Sequence, residues 1–208
     1  MANFPNPEER IHQVEEPDPA GTYTASDYLN WTFEGLVELI RGKIYKMSPT
    51  PNLKHQRIAG LLYEQLCPVF KGHPCGLWIA PTDVYLVHPG EDYKKTHNIV
   101  EPDLFVVCDK SKLRSFGCVG APDFIIEILS PSTSKKDIRF KRELYEEYGV
   151  KEYWMIQVTD RLVIVNRLED GKYVTQRPYT VGNILSPQQF PELRIDLEKL
   201  FKGVEDIP

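Results

Sequence analysis

Two carboxylates sit where a folding chain should exclude water. Asp103 opens the apolar run LFVVC, and Glu127 lies inside FIIEIL. Both runs read as strands, and strand side chains alternate between faces. On that alternation Asp103 shares a face with Phe105 and Val107. Glu127 shares one with Ile125 and Leu129, while Phe124, Ile126 and Ile128 point the other way. An ionised carboxylate among aliphatic neighbours is costly unless it is paired. A basic side chain, a proton or a cation would relieve that cost. Carboxylate oxygens are the hard ligands Mg²⁺ prefers. It takes one or two of them, completed by water or phosphate oxygens, and the backbone carbonyl of Ile128 offers a further oxygen. An ion held this way lowers the pKa of an attacking water. The simpler alternatives are a solvated strand end for Asp103 and a salt bridge for either acid.

Lys141 follows in KKDIRFKRELYEEYG, a segment with helical patterning and Gly149 as its stop. One reading pairs it with Asp137 one turn earlier, worth about 0.3–0.5 kcal/mol. The other packs the helix on the sheet and brings the ammonium to Glu127, where it would orient a water or stabilise charge on a phosphoryl oxygen. Glu38 in LVELI is also an acid within an apolar strand, suited to a metal or to a basic hairpin partner. His55, at the head of a helix, reads as a cap-region or surface residue, and Asp83 reads as a turn residue after Pro81.

The elements that must position these groups follow from periodicity and turn chemistry. Thr24 with Asp27 three residues on predicts a short helix start. LVELIRGKIYKM predicts a hairpin around Arg41-Gly42. LKHQRIAGLLYEQL places Ile58, Leu61, Leu62 and Leu66 at helical spacing, ended or bent by Pro68. GLWIA, DVYLV and KEYWMIQV read as strands, SPSTS as a turn-rich link, and LVIVNRLEDGKYVTQ as a hairpin around Asp170-Gly171. LEKLF reads as a last short helix. The aromatic residues Tyr153, Trp154 and Tyr179 fit either a core or an interface.

The chain has 208 residues, 41% hydrophobic and 26% charged, which is ordinary globular composition. We read residues 1–22 as a flexible N-terminal arm and 23–208 as one domain. No long apolar run predicts a membrane span, and the order of a signal peptide is missing, so a cytoplasmic protein is expected. The four cysteines form no Cys-x-x-Cys pair, which argues against zinc and for reduced, buried thiols. A formal net charge of −5 disfavours a protein that coats nucleic acid non-specifically. Phosphate contact would fall to a local patch, and Lys135, Lys136, Arg139 and Arg142 lie in the densest basic stretch.

These residues together resemble a known pattern. Pro102-Asp103 followed by Glu127 is similar to the PD-(D/E)XK nuclease signature. The blocks ELIRGKIYKMSPTPNLKHQRI, VEPDLFVVCD and APDFIIEILSPSTSKKDIRFKRELYEEYGVKEYWMI look like one bacterial family within it, labelled putative restriction endonuclease or domain of unknown function. The resemblance covers roughly residues 24 to 200 and implies a restriction-endonuclease-like α/β (α+β) fold, a central mixed sheet flanked by helices. It also implies Mg²⁺-dependent hydrolysis of DNA phosphodiester bonds, with Mn²⁺ as substitute. Asp103 and Glu127 match the metal-binding acids, and Glu38 matches an acid of the N-terminal block. The superfamily lysine position holds Leu129, with Lys141 the substitute, and Gln157 stands where relatives carry Asp.

The leading expectation is therefore an endonuclease with Asp103, Glu127, Lys141 and Glu38 as catalytic groups and Asp103, Glu127 and Ile128 around the metal. DNA is its expected partner, and a homodimer would cut both strands. The alternative is a catalytically inactive protein on the same scaffold that binds DNA or protein. Motifs of other hydrolases, such as Gly-x-Ser-x-Gly or His-Glu-x-x-His, are missing.

Overall fold

The structure, a computed structural model, describes residues 18, 20–31, 36–47, 52–129 and 137–207, with only the backbone of 137 and 138. Strands are numbered in chain order. The large sheet holds β3 (Gly76–Ile79), β6 (Leu104–Val107), β9 (Phe124–Leu129), β10 (Glu152–Gln157), β11 (Leu162–Glu169), β12 (Lys172–Thr175) and β13 (Tyr179–Thr180). Its order is β12-β11-β10-β9-β6-β3, with β13 paired to β11. The pair β9–β10 is parallel, and the others are antiparallel.

A smaller sheet runs β2 (Lys43–Lys46), β1 (Val37–Ile40), β5 (Ile99–Val100), β4 (Val84–Tyr85), β8 (Gly117–Val119), β7 (Leu113–Arg114). β14 (Ile184–Leu185) pairs with β15 (Ile195–Asp196). The large sheet is the mixed sheet flanked by helices that the sequence predicts, and the smaller sheet is an addition to it. Most strands of the second sheet are two or three residues long, too short to show alternation.

The helices start and stop as their residues dictate. α1 (Ala25–Tyr28) has a reciprocal cap. The Thr24 hydroxyl accepts from Asp27 N–H, and the Asp27 carboxylate accepts the Thr24 N–H at 2.7 Å. α2 (Leu53–Phe70) buries the stripe Ile58, Leu62, Leu66 and Phe70. It runs past Pro68, because the lost bond is a single one near the helix end and Phe70 beyond it is buried. The segment around Lys141 is not one uniform helix. Asp137–Lys141 winds as a π-turn and continues into α3 (Arg142–Glu147). α4 (Leu197–Phe201) is capped by Asp196.

The alternation read from FIIEIL divides the core. Phe124, Ile126 and Ile128 join Leu104 and Val106 under α2 and α4. Ile125 and Leu129 join Phe105 and Val107 on the opposite face, against Leu144 and Tyr145 of α3 and Ile40, Val84 and Val100 of the small sheet. The second layer thus lies between the two sheets, and Glu127 is in phase with it. Tyr153 and Trp154 are fully buried, and Tyr179 packs on the first layer, so the first two are core residues.

One cysteine expectation is corrected. Cys75 and Cys108 form a disulfide, while Cys67 and Cys118 are free. The Gly76–Val107 pairing of β3 and β6 sets their neighbours 75 and 108 side by side, which spacing along the chain does not reveal. Residues 1–17 and 19 of the expected arm lie outside the described residues. At its end, the Lys43 ammonium donates to the carbonyls of Ala20 and Gly21.

Gly117 allows the small sheet to close. Its φ is +150°, and an added Cβ would lie 2.4 Å from the Asp83 carbonyl oxygen, the acceptor of the Cys118 N–H. We expect Gly117→Ala to cost about 2 kcal/mol or more in urea unfolding, since backbone would have to shift to admit the methyl group.

Candidate active site

Asp103 and Glu127 come from neighbouring segments at the register of β6 and β9. The antiparallel ladder pairs Leu104 with Ile126, so one step further sets Asp103 opposite Glu127. Asp103 Oδ2 accepts the Ile128 N–H at 2.7 Å, and His55 Nε2 lies 3.1 Å from Asp103 Oδ1. His55 is in the cap region as read, its backbone N–H donating to the Asn52 N-cap, but its ring is a partner of the acid, and its Nδ1 is buried without a hydrogen-bond partner. Residues in a strand turn N–H and C=O to the same side, so the Ile128 carbonyl also faces the Asp103 strand.

Lys141 reaches these acids from the π-turn. Its ammonium lies 2.8 Å from Glu127 Oε1 and 2.7 Å from Glu38 Oε1, with a side chain only 4% exposed. The Glu101 N–H donates to the same Glu38 oxygen at 3.0 Å. Tyr145, one turn after Lys141 and on the same helix face, donates its hydroxyl to Glu127 Oε1 at 2.8 Å. Burial and the Glu127 charge hold that phenol well above its usual range, so it stays a donor. The Asp137 side chain, read as a local partner of Lys141, lies outside the described residues, and the two acids that hold the ammonium come from different sheets. Glu38 belongs to β1 and Glu127 to β9.

Two further acids adjoin the cluster, Glu101, which the sequence reading passes over, and Asp83, which it takes for a turn residue. Burial first, then the charges of Asp83 and Glu38, raise the Glu101 carboxyl to about 7, against a smaller downward pull from Lys141. Asp83 is also raised by burial, although the Tyr28 and Tyr85 hydroxyls donate to its two oxygens at 3.1 and 3.2 Å. A signal existed for Glu101, which adjoins the Pro102-Asp103 pair after an apolar step. For Asp83 and His55 no local signal existed, because their partners come from distant segments.

The basic stretch divides. Lys135 and Lys136 lie outside the described residues. Arg139 is exposed, 3.8 Å from Glu143 and stacked near Phe140. Arg142, expected at phosphates, instead donates to Asn166, the Tyr173 carbonyl and Thr175, which ties α3 to the large sheet. Gln157 ends β10 opposite Leu129, the residue at the superfamily lysine position.

Among the described residues no group of three or more His, Cys, Asp or Glu side chains is arranged to hold a metal ion, and no helix is long and apolar enough to cross a membrane. Residues 25–198 match the Uma2 family, putative restriction endonuclease. The chain belongs to that family. A relative, uncharacterized protein slr1290 of Synechocystis sp., is 25% identical over 167 residues, covering 78% of this chain and 83% of that protein. The fold is that of a crystal structure described as a putative nuclease belonging to DUF820 from Anabaena variabilis. The TM-score is 0.70 at 21% identity, over 88% of this chain and 99% of that one.

Lys141→Ala would leave Glu38 and Glu127 without their shared cation. We expect a stability loss of about 3–5 kcal/mol in denaturant unfolding, the cost of stranding buried charge. Glu101 sets a pH dependence. The folded state keeps its proton above the ordinary carboxyl range, so its burial is harmless below about 4.5 and opposes folding increasingly as pH rises towards 7. In chelator-containing buffer, Glu101→Gln should melt with the wild type at about pH 4 and above it at about pH 8.

Proposed function

We propose that this Uma2-family chain is a metal-dependent endonuclease that hydrolyses DNA phosphodiester bonds. The observation that carries this reading is a buried ammonium held by two acids next to a third, Asp103, on the adjacent strand. The donor set fits Mg²⁺, which needs only one or two carboxylates when water and phosphate oxygens fill the other positions. Asp103 and Glu127 would hold the ion, with the Ile128 carbonyl on the same edge. When bound, such an ion lowers the pKa of a water and offsets charge on the phosphate. The chain's own groups do the rest. Lys141 places positive charge beside the reacting phosphate and orients the nucleophile, and Glu38 and Tyr145 fix its ammonium and Glu127 in place. His55 holds the Asp103 carboxylate from the helix side. Arg139 attracts the DNA backbone irrespective of sequence.

One observation favours the catalytically inactive alternative: Lys141 already offsets part of the charge of Glu127 and Glu38. Titration calorimetry with Mn²⁺ separates the two. The nuclease reading requires binding heat that Asp103→Ala abolishes. Supercoiled plasmid should be nicked in Mg²⁺ or Mn²⁺, and Asp103→Ala, Glu127→Ala and Lys141→Met should each lower that rate by roughly 10²-fold or more. Undiminished cleavage by a folded Glu127→Ala protein would sink the assignment.

A further inference from the structure

Beside the acid cluster lies a cavity of ≈ 420 Å³, within the range of small-molecule sites. It contains none of Asp103, Glu127 and Lys141, but it shares a wall with them. The Ala80 N–H donates to the Asp103 carbonyl, and the next residues, Pro81, Thr82 and Asp83, line the cavity. Tyr28, Trp78, Phe105 and Phe116 supply flat aromatic surface. Trp78 and Phe116 are 38% and 40% exposed, an open rim of rings in an acidic protein.

The polar groups of the cavity are not equivalent. Both Asp83 oxygens already accept tyrosine hydroxyls. Glu101 is 3% exposed, and its Oε2 is buried without any hydrogen-bond partner. A buried oxygen left unpaired carries a desolvation cost that a ligand's N–H would remove. Its backbone N–H meanwhile donates to Glu38, which ties this segment to the acid cluster.

We infer that this cavity receives one unstacked nucleobase of the substrate strand, and that Glu101 selects guanine. This deepens the nuclease reading and rests on it for the identity of the ligand class. Extruded bases are read through hydrogen bonds to the Watson–Crick edge and by stacking between aromatic side chains. Of the four common bases, guanine presents two adjacent donors there, N1–H and the N2 amino group, which an ionised carboxylate accepts together. Arg114 lines the same cavity and contributes positive charge for the adjoining phosphate. A metal ion is a poorer occupant, since the walls are largely aromatic.

The test is fluorescence anisotropy with a short labelled single-stranded oligonucleotide in EDTA, where no cleavage occurs. A central guanine should bind roughly tenfold tighter than adenine or inosine at the same place, inosine lacking only the N2 amino group. Phe116→Ala and Trp78→Ala, both at exposed positions, should weaken binding of every sequence by roughly tenfold. Glu101→Gln should erase the guanine preference and leave adenine affinity unchanged. Equal affinity for all bases, or full affinity in both aromatic variants, overturns the inference. So does sedimentation in which Trp78→Ala only converts a dimer to monomer, which would make this face a contact between copies. Glu127→Ala keeps the two readings apart: it should retain the base preference while losing cleavage. If it cleaves normally, the nuclease assignment fails and the binding data still judge the pocket.

Discussion

A single ammonium joins the two sheets. Lys141 touches Glu38 of the small sheet and Glu127 of the large one, in a layer otherwise made of Phe105, Ile125, Leu144 and Tyr153. Removing three charges from water is expensive, and their mutual attraction offsets it only with close contacts and further donors. Both conditions hold. The contacts are 2.7 and 2.8 Å, and Glu101 N–H and Tyr145 O–H supply two of the further bonds. Such a cluster contributes less to stability than apolar packing of the same volume would. What it provides is a fixed charge in a dry layer beside a second acid, where electrostatic effects are strong.

The π-turn is the local device that makes this geometry reachable. One extra residue in a turn rotates the side chains that follow, and such turns recur at functional sites. Here it turns Lys141 inwards while Arg139 remains outside and Arg142 clamps α3 to β11 and β12. The same fold type hosts many activities, so the case for chemistry rests on these side chains and not on the architecture.

Much of this was legible in the sequence wherever a property is local. The alternation in FIIEIL and LFVVC sorted both faces correctly, α2 announced itself by its stripe, and the Thr24 cap and the two hairpin turns by their residues. The family resemblance supplied the fold class. What could not be read is what arises only when distant segments meet. The second sheet consists largely of two- and three-residue strands, and the His55–Asp103 contact and the Cys75–Cys108 bond depend on tertiary register. Glu101 went unread and Asp83 looked like a turn residue because their burial comes from elements elsewhere in the chain.

The position of β3 at the rim of the large sheet bears on how the protein remains dispersed in a crowded cell. An unpaired strand border is a template for adding foreign strands, and natural proteins keep such borders short or irregular. β3 is four residues long and carries Trp78 and Ile79 outward, with few charges to discourage association. Its flank is anchored to β6 by the Cys75–Cys108 bridge, which limits fraying at the end away from the acids. The same strip that offers aromatic surface to a passing ligand is therefore the place where self-association would begin, and its brevity is what holds that tendency in check.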